Sequence, residues 1–305
     1  MSIWDSFLDK TIVFSFDSTG FNRHQKKFDE DILSMSFDNK KILITGATNG
    51  IGEEVASLTS KLNAVVTITG RNKKKGEEFE SQNKNSKFVS LDMANWKELH
   101  EFAKNSNSIY DFLVFNAGSM PEAMNENEFG VEFQSSSQLF GHYYLLYWLK
   151  LYRKISPGAK VVWVSSGGMY LKKLDLGSLV KNAKYDKVDT YANVKRAQVT
   201  LVEELAKKDE WKDIFLYSMH PGWVGTQGLK DALPSFYNMM KNRLRSIYQG
   251  ADTILWCLLS KKSLVSGGFY FDRQRVSPII SKKYEPSSKE REELLRILEE
   301  KRPVF

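Results

Sequence analysis

The sequence predicts an α/β fold: one domain built as a doubly wound parallel sheet, with helices on both faces in a three-layer αβα stack. Three observations predict it. From Lys40 onward, short apolar runs alternate with segments of helical patterning. The runs are almost continuously apolar, as strands buried on both faces must be. And a glycine-rich stretch joins the first run to the first helical segment, where an α/β sheet of this kind binds its ligand.

Taken in order, KKILIT (40–45) reads as a buried strand and Gly50–Leu62 as a helix. AVVTIT (64–69) is a strand and Asn72–Gln82 a charged helix. KFVSL (87–91) and Asn95–Lys104 form the next pair. YDFLVF (110–115) is a strand, followed by a long apolar helix over 128–152. KVVWVS (160–165) is a strand; a loop and a helix over 190–208 follow. IFLYSM (214–219) is a strand, Gln249–Leu259 a helix and GGFYF (267–271) a final short strand. No repeat or low-complexity tract divides the 305 residues. The expected organisation is an extension over 1–39, a dinucleotide-binding domain over 40–275 and a helical extension over 276–305.

Composition narrows the function. The net charge is +7, but the basic residues fall in scattered pairs such as Lys172–Lys173 and Lys282–Lys283, which read as solvated surface. No zinc-finger or RNA-binding signature accompanies them, so nucleic acid is not an expected partner. Four histidines lie far apart and Cys257 is the one cysteine, so no metal is expected. Cys257 lies in the apolar run 254–259, which predicts a buried, inert thiol. A reducing, cytoplasmic compartment is the default. No run of about 18 apolar residues predicts a membrane-spanning helix. Ile3, Trp4, Phe7, Leu8 and Ile12 nevertheless share a helical face, which leaves open two readings of residues 1–16: packing on the domain, or a peripheral membrane contact.

The glycine stretch is Thr45-Gly46-Ala47-Thr48-Asn49-Gly50-Ile51-Gly52. Glycines let backbone turn tightly and approach a pyrophosphate, and the helix that follows offers free N–H groups at its positive end. This predicts a Rossmann-type dinucleotide site. The second strand ends Thr69-Gly70-Arg71-Asn72-Lys73, with no carboxylate to receive a ribose 2′-hydroxyl and with Arg71 free for a 2′-phosphate. NADP(H) is therefore the preferred cofactor, with NAD(H) the alternative.

Within the 190–208 helix, Tyr191 and Lys195 are four residues apart and share a face. A phenol titrates at about 10, and a neighbouring ammonium should lower that value and make Tyr191 a general acid or base. The fifth strand ends Ser165-Ser166-Gly167-Gly168, placing a hydroxyl at the ligand edge. The fourth strand ends Asn116-Ala117-Gly118 and the sixth Pro221-Gly222, with Thr226 close behind.

Together these residues resemble the short-chain dehydrogenase/reductase family, in its shorter, non-extended branch. The glycine turn, Asp92, Asn116–Gly118, the serine pair, Tyr191 with Lys195, and Pro221-Gly222 occur in the family's order. The stretches SSGGM, YANVKRAQV, SMHPGW, RLRSIYQGADTILW and FYFDR, the N-terminal extension and the C-terminal EELLRILEE helix are similar to one member of it. The resemblance implies a nicotinamide-dependent oxidoreductase interconverting a carbonyl and an alcohol. It implies that Thr45, Gly46, Asn49, Gly50, Ile51 and Gly52 line the pyrophosphate and nicotinamide side. Asp92 would bond the adenine, and Asn116, Ala117 and Gly118 would lie against the adenine ribose. Ser166 would orient the substrate carbonyl, Tyr191 would pass the proton and Lys195 would hold the nicotinamide ribose. Pro221, Gly222 and Thr226 would meet the nicotinamide end. The family's helix asparagine is replaced by Gln138, three residues before Gly141, which puts the proton relay in question.

Phe236, Tyr237, Met239 and Met240 in the segment 227–245 suggest an apolar substrate, such as a lipid, retinoid or steroid-like molecule. The same residues would also serve simply to pack the domain. A competing reading is an NADP(H)-binding sensor or scaffold with little turnover. The all-round apolar run Tyr143–Leu149 must be buried, either inside the chain or against a second copy in a homodimer.

Overall fold

The structure, a computed structural model, describes residues 15–305. The amphipathic pattern at Ile3–Ile12 therefore lies outside the described residues. The sheet contains β1 (Lys41–Ile44), β2 (Val65–Gly70), β3 (Ser86–Ser90), β4 (Tyr110–Phe115), β5 (Ile155–Val164), β6 (Phe215–Met219), β7 (Phe269–Phe271) and β8 (Gln274–Arg275). Their order is β3-β2-β1-β4-β5-β6-β7-β8. All pairings are parallel except the terminal β7–β8 pair. The chain runs β1, β2, β3 in one direction and returns to place β4 beside β1, so the switch point lies at the carboxyl ends of β1 and β4.

Alternation along the strands divides the core into two layers. Ile42 and Ile44 of β1 face one side, with Val114, Val162 and Tyr217. Against them pack α2 (Gly50–Lys61), α3 (Lys73–Gln82) through Phe79, and α10 (Ile247–Leu259), and Cys257 is buried there as expected. Leu43 faces the other side, with Leu113, Trp163 and Leu216, under α4 (Trp96–Asn105), α5 (Gly141–Leu151) and α7 (Lys187–Leu205). Asp186 caps α7 by accepting from the Val188 and Asp189 amides. Ser246 and Gln249 close α10 with a capping box.

The long helix predicted over 128–152 is shorter and irregular. It starts with a turn at Phe133–Ser135 and passes through a π-helical stretch, Ser136–Phe140, before α5. There the Gly141 amide donates to the Ser136 carbonyl, five residues back. Gly141 allows this turn to press on α4's entrance, since a Cβ would lie within 3.0 Å of the Ser136 carbonyl and would overlap that of Met93.

The apolar run Tyr143–Leu149 is covered within the chain. The helix α11 (Ser288–Glu300) lies across it, burying Leu294 and Leu298. Tyr144 Oη donates to the Leu298 carbonyl (2.8 Å), Tyr143 bonds Glu299, and the Arg302 guanidinium sits 3.6 Å from the Tyr147 ring centre. At the other end of the chain, α1 (Ser18–Gln25) packs beside β7, and His24 Nδ1 meets Asp272 Oδ2 at 2.6 Å. The segments α6 (Leu176–Val180), α8 (Gln227–Ala232) and α9 (Pro234–Met240) form the rim above the carboxyl edge.

Candidate active site

The turn after β1 is shaped by what lies against it. Gly46 has φ +65°, and a Cβ there would stand 2.6 Å from Ala117 Cα. A Cβ on Gly52 would stand 2.7 Å from the Gly46 carbonyl and overlap the Asn116 amide. Asn116 Nδ2 donates to the carbonyls of Thr45 and Gly46, both at 3.1 Å. Its amide is thus spent on holding the turn, a job beyond the ribose contact that the resemblance implies. Asn49 makes no side-chain cap on α2, so the first amides of that helix are left for a ligand. Opposite them, Thr226 Cγ2 lies 3.4 Å from where a Gly50 Cβ would stand, so the β1 and β6 loops face each other across a narrow gap. Tight glycines, uncapped amides and a narrow gap fit a dinucleotide pyrophosphate. Arg71 is exposed at the end of β2. Asp92, after β3, accepts from the Ala94 amide (2.9 Å) and stands half-buried on the same edge.

The catalytic candidates converge at the end of β5. The Tyr191 phenol and the Ser166 hydroxyl are neighbours, near enough for the serine to act on the phenol electrostatically. Ser166 Oγ also accepts from the Gly168 amide at 3.2 Å. Ser165 Oγ donates to the Lys195 carbonyl (3.0 Å), which fixes α7 against the strand end. Lys195 is 2% exposed; its Nζ donates to the Val164 carbonyl at 2.9 Å and stands 5.2 Å from the Tyr191 ring centre.

The expected lowering of the phenol pKa does not occur. Burial pushes Tyr191 up to about 12, only partly opposed by the neighbouring Ser166 hydroxyl. Burial alone also brings Lys195 down to about 7. Removing each charged form from water dominates both values. At neutral pH the phenol therefore holds its proton.

Gln138 lies in the π-helical stretch behind Gly118. Its side-chain amide donates to the Ser119 carbonyl (2.8 Å), while Oε1 is buried without a hydrogen-bond partner. Its backbone carbonyl accepts from Gln198 Nε2 (2.6 Å) and bonds His142 Nδ1 (2.8 Å). With Nδ1 donating, His142 Nε2 accepts from the Thr45 hydroxyl at 2.9 Å. Thr45 Oγ1 in turn accepts the amides of Asn116 (3.0 Å) and Ala117 (3.1 Å). A neutral imidazole thus links the helix to the glycine turn. Burial, reinforced by the nearby Lys195 charge, lowers His142 to about 3.

Other residues at the site carry no sequence motif. Arg245 is buried and grips Asp272 with two nitrogens (2.5 and 2.8 Å), while its NH1 donates to the Pro221 carbonyl (3.3 Å). Gly222, with φ +77°, is kept bare by this guanidinium, whose Cζ would lie 2.6 Å from a Cβ there. Burial would raise Asp272, but bonds from His24 and Arg245 hold it below the usual carboxylate range. Arg196, next to Lys195, is buried with carbonyl partners, Met169 (2.8 Å) and Pro278 (3.0 Å), and ties down the loop after Ser166. In the sequence, Arg196 and Arg245 lie inside stretches that carry the resemblance, YANVKRAQV and RLRSIYQGADTILW, without any role being read from them. Among the described residues no cluster could hold a metal ion, and no helix is long and apolar enough to cross a membrane.

Comparison with known proteins agrees with this geometry. Residues 40–168 match the family model described as short chain dehydrogenase. The chain is 32% identical to Dehydrogenase/reductase SDR family member 12 of Homo sapiens, over 95% of each chain. It is 29% identical to Retinol dehydrogenase 12 of Homo sapiens, over 80% of this chain and 82% of that one. The fold is similar to that of an uncharacterized protein from Mycobacterium paratuberculosis (TM-score 0.71, 22% identity, 88% of this chain and 94% of that one). It is also similar to a short chain dehydrogenase from Escherichia coli complexed with NADPH (TM-score 0.61, 18% identity, 80% of this chain and 100% of that one). The chain belongs to the short-chain dehydrogenase/reductase family and is an oxidoreductase of carbonyl and alcohol pairs.

Proposed function

We propose that the chain uses NADP(H) in preference to NAD(H) and reduces an apolar carbonyl compound of retinoid-like or lipid-like character. The observation that carries the reading is the convergence of Ser166, Tyr191 and Lys195 beside the uncapped start of α2. Arg71 and the lack of a carboxylate in Gly70–Lys75 support the phosphorylated cofactor. The similarity to Retinol dehydrogenase 12 supports an apolar substrate.

The bound nicotinamide supplies the hydride. Ser166 Oγ orients the substrate carbonyl by donating a hydrogen bond to its oxygen. Tyr191 gives that oxygen its proton, and a phenol held protonated to about 12 is suited to this direction. Lys195 retains further donor capacity beyond its bond to Val164, enough to hold the cofactor ribose. When protonated, it stabilises the phenolate left behind.

The test is NADPH oxidation against a panel of aldehydes and ketones, all-trans-retinal included. Tyr191→Phe should lower kcat on the order of 10²- to 10⁴-fold with NADPH binding retained. A second reading, a cofactor-binding sensor with little turnover, draws on the Gln138 carbonyl, already engaged by His142 and Gln198. Tight NADPH binding with no Tyr191-dependent turnover across the panel would favour that reading.

A further inference from the structure

We propose that Phe16, from the segment that precedes the dinucleotide-binding domain, is a positioning residue that sets the spacing of the two loops flanking the reacting centre. The proposal rests on the oxidoreductase reading above. The first loop begins at Ser166 and the second runs from Pro221 to Thr226. One residue touches both.

Phe16 is 6% exposed. Its ring lies on the bare Cα of Gly167, the residue after Ser166. A Cβ there would stand 2.9 Å from Phe16 Cδ2 and 3.1 Å from Cζ, and would overlap Cε2. Its carbonyl accepts from the Trp223 amide (2.8 Å), the residue after Gly222. The ring also meets His220 edge-on at 4.4 Å between centres, at the root of the second loop.

Phe16 is itself immobilised. Arg245 donates to the carbonyls of Ser15 (2.9 Å), Phe16 (2.9 Å) and Asp17 (3.2 Å) while holding Asp272. The Ser18 amide donates to the Arg243 carbonyl (2.9 Å), and Arg243 Nε pairs with Asp17 Oδ2 at 2.7 Å. A rigid anchor thus presents a flat ring to the catalytic loop. Without the ring, Gly167 regains the freedom that a residue lacking Cβ has, and Ser166 loses its fixed distance from Tyr191. A displacement of about 1 Å at a reacting group can cost on the order of a hundredfold in rate.

The test compares Phe16→Ala, Phe16→Leu, Gly167→Ala and the Phe16→Ala/Gly167→Ala double variant of the full chain. It reads kcat and KM for NADPH and for the panel carbonyl turned over fastest. Amide hydrogen exchange over 166–170 and 223–226 is read in parallel. Phe16→Ala should lower kcat at least about tenfold with KM for NADPH nearly unchanged, and speed exchange in both loops. Phe16→Leu should recover part of the rate. Gly167→Ala should be impaired alone and improved by the added Phe16→Ala, which makes room for its methyl group. Wild-type kcat and exchange in Phe16→Ala, or losses that simply add in the double variant, would overturn the proposal. If Phe16→Ala does not fold, Phe16→Leu and Gly167→Ala interrogate the same contact from its two sides. If the wild-type chain shows no Tyr191-dependent turnover, the oxidoreductase reading fails, and the exchange data decide the positioning role alone.

Discussion

The turn at Thr45–Gly52 and the loops around Gly167 and Trp223 face the same crevice, but they are built from different stretches of the chain. The turn is made by consecutive residues on one strand and one helix, closed from below by Asn116 and Ala117. The loops after Ser166 and Pro221 are held by Phe16, Arg196, Arg245 and Asp272, which span more than two hundred and fifty positions of sequence. Local geometry can be written in a short motif. A wall assembled from both ends of the chain cannot, because each contributor looks ordinary in its own neighbourhood.

The difference can be pushed to breaking. Arg245→Met takes from buried Asp272 its guanidinium partner, leaving the His24 ring beside it, and should cost about 3–5 kcal/mol, read by urea denaturation. A loss under about 1 kcal/mol would mean that the substrate wall does not depend on this pair. On the other side, Gly52→Ala forces a methyl group into the Asn116 amide and the Gly46 carbonyl. It should cost about 1–3 kcal/mol and abolish the thermal shift given by NADPH. An intact shift would separate the turn from cofactor binding.

Acid should act on both regions through one histidine each. His142, behind the turn, and His220, behind the loops, are both lowered to about 3 by burial from a usual 6.5. The unfolded chain therefore takes up protons that the folded chain refuses between those limits, and stability falls as pH drops below about 6.5. At pH 5 each ring should account for about 2 kcal/mol. His142→Gln should flatten the pH dependence of the melting midpoint; an unchanged slope would exclude that ring. The smallest effect is expected at Arg71, where Arg71→Ala should weaken NADPH about tenfold, ~1.4 kcal/mol, and leave NADH unchanged.

The fold was legible because apolar runs and helical patterns alternate from Lys40 onward, and strand interiors such as Ile42–Ile44 have no other place to go. Ser166, Tyr191 and Lys195 were legible because residues four apart on a helix must share a face and strand ends must meet the crevice. Three features were not. The phenol's pKa depends on how deeply α7 sinks, which spacing does not report. The helix over 128–152 reads as uniform, yet the chain widens into a π-helical stretch at Ser136–Phe140, from which the Gln138 carbonyl meets His142. The run Tyr143–Leu149 announces burial without saying by what, and α11 supplies the cover from a stretch more than a hundred residues away.

The placement of Phe16 also has a consequence in time. Its partners Trp223, Arg245 and Phe271 lie some two hundred to two hundred and fifty residues downstream. At a synthesis rate of roughly 5–20 residues per second, Phe16 waits on the order of ten to fifty seconds for the last of these to be made. During that interval the glycine turn and the strands beside it can already assemble, while the catalytic loop has nothing to rest on. On the proposed reading, the oldest of these residues complete the site last.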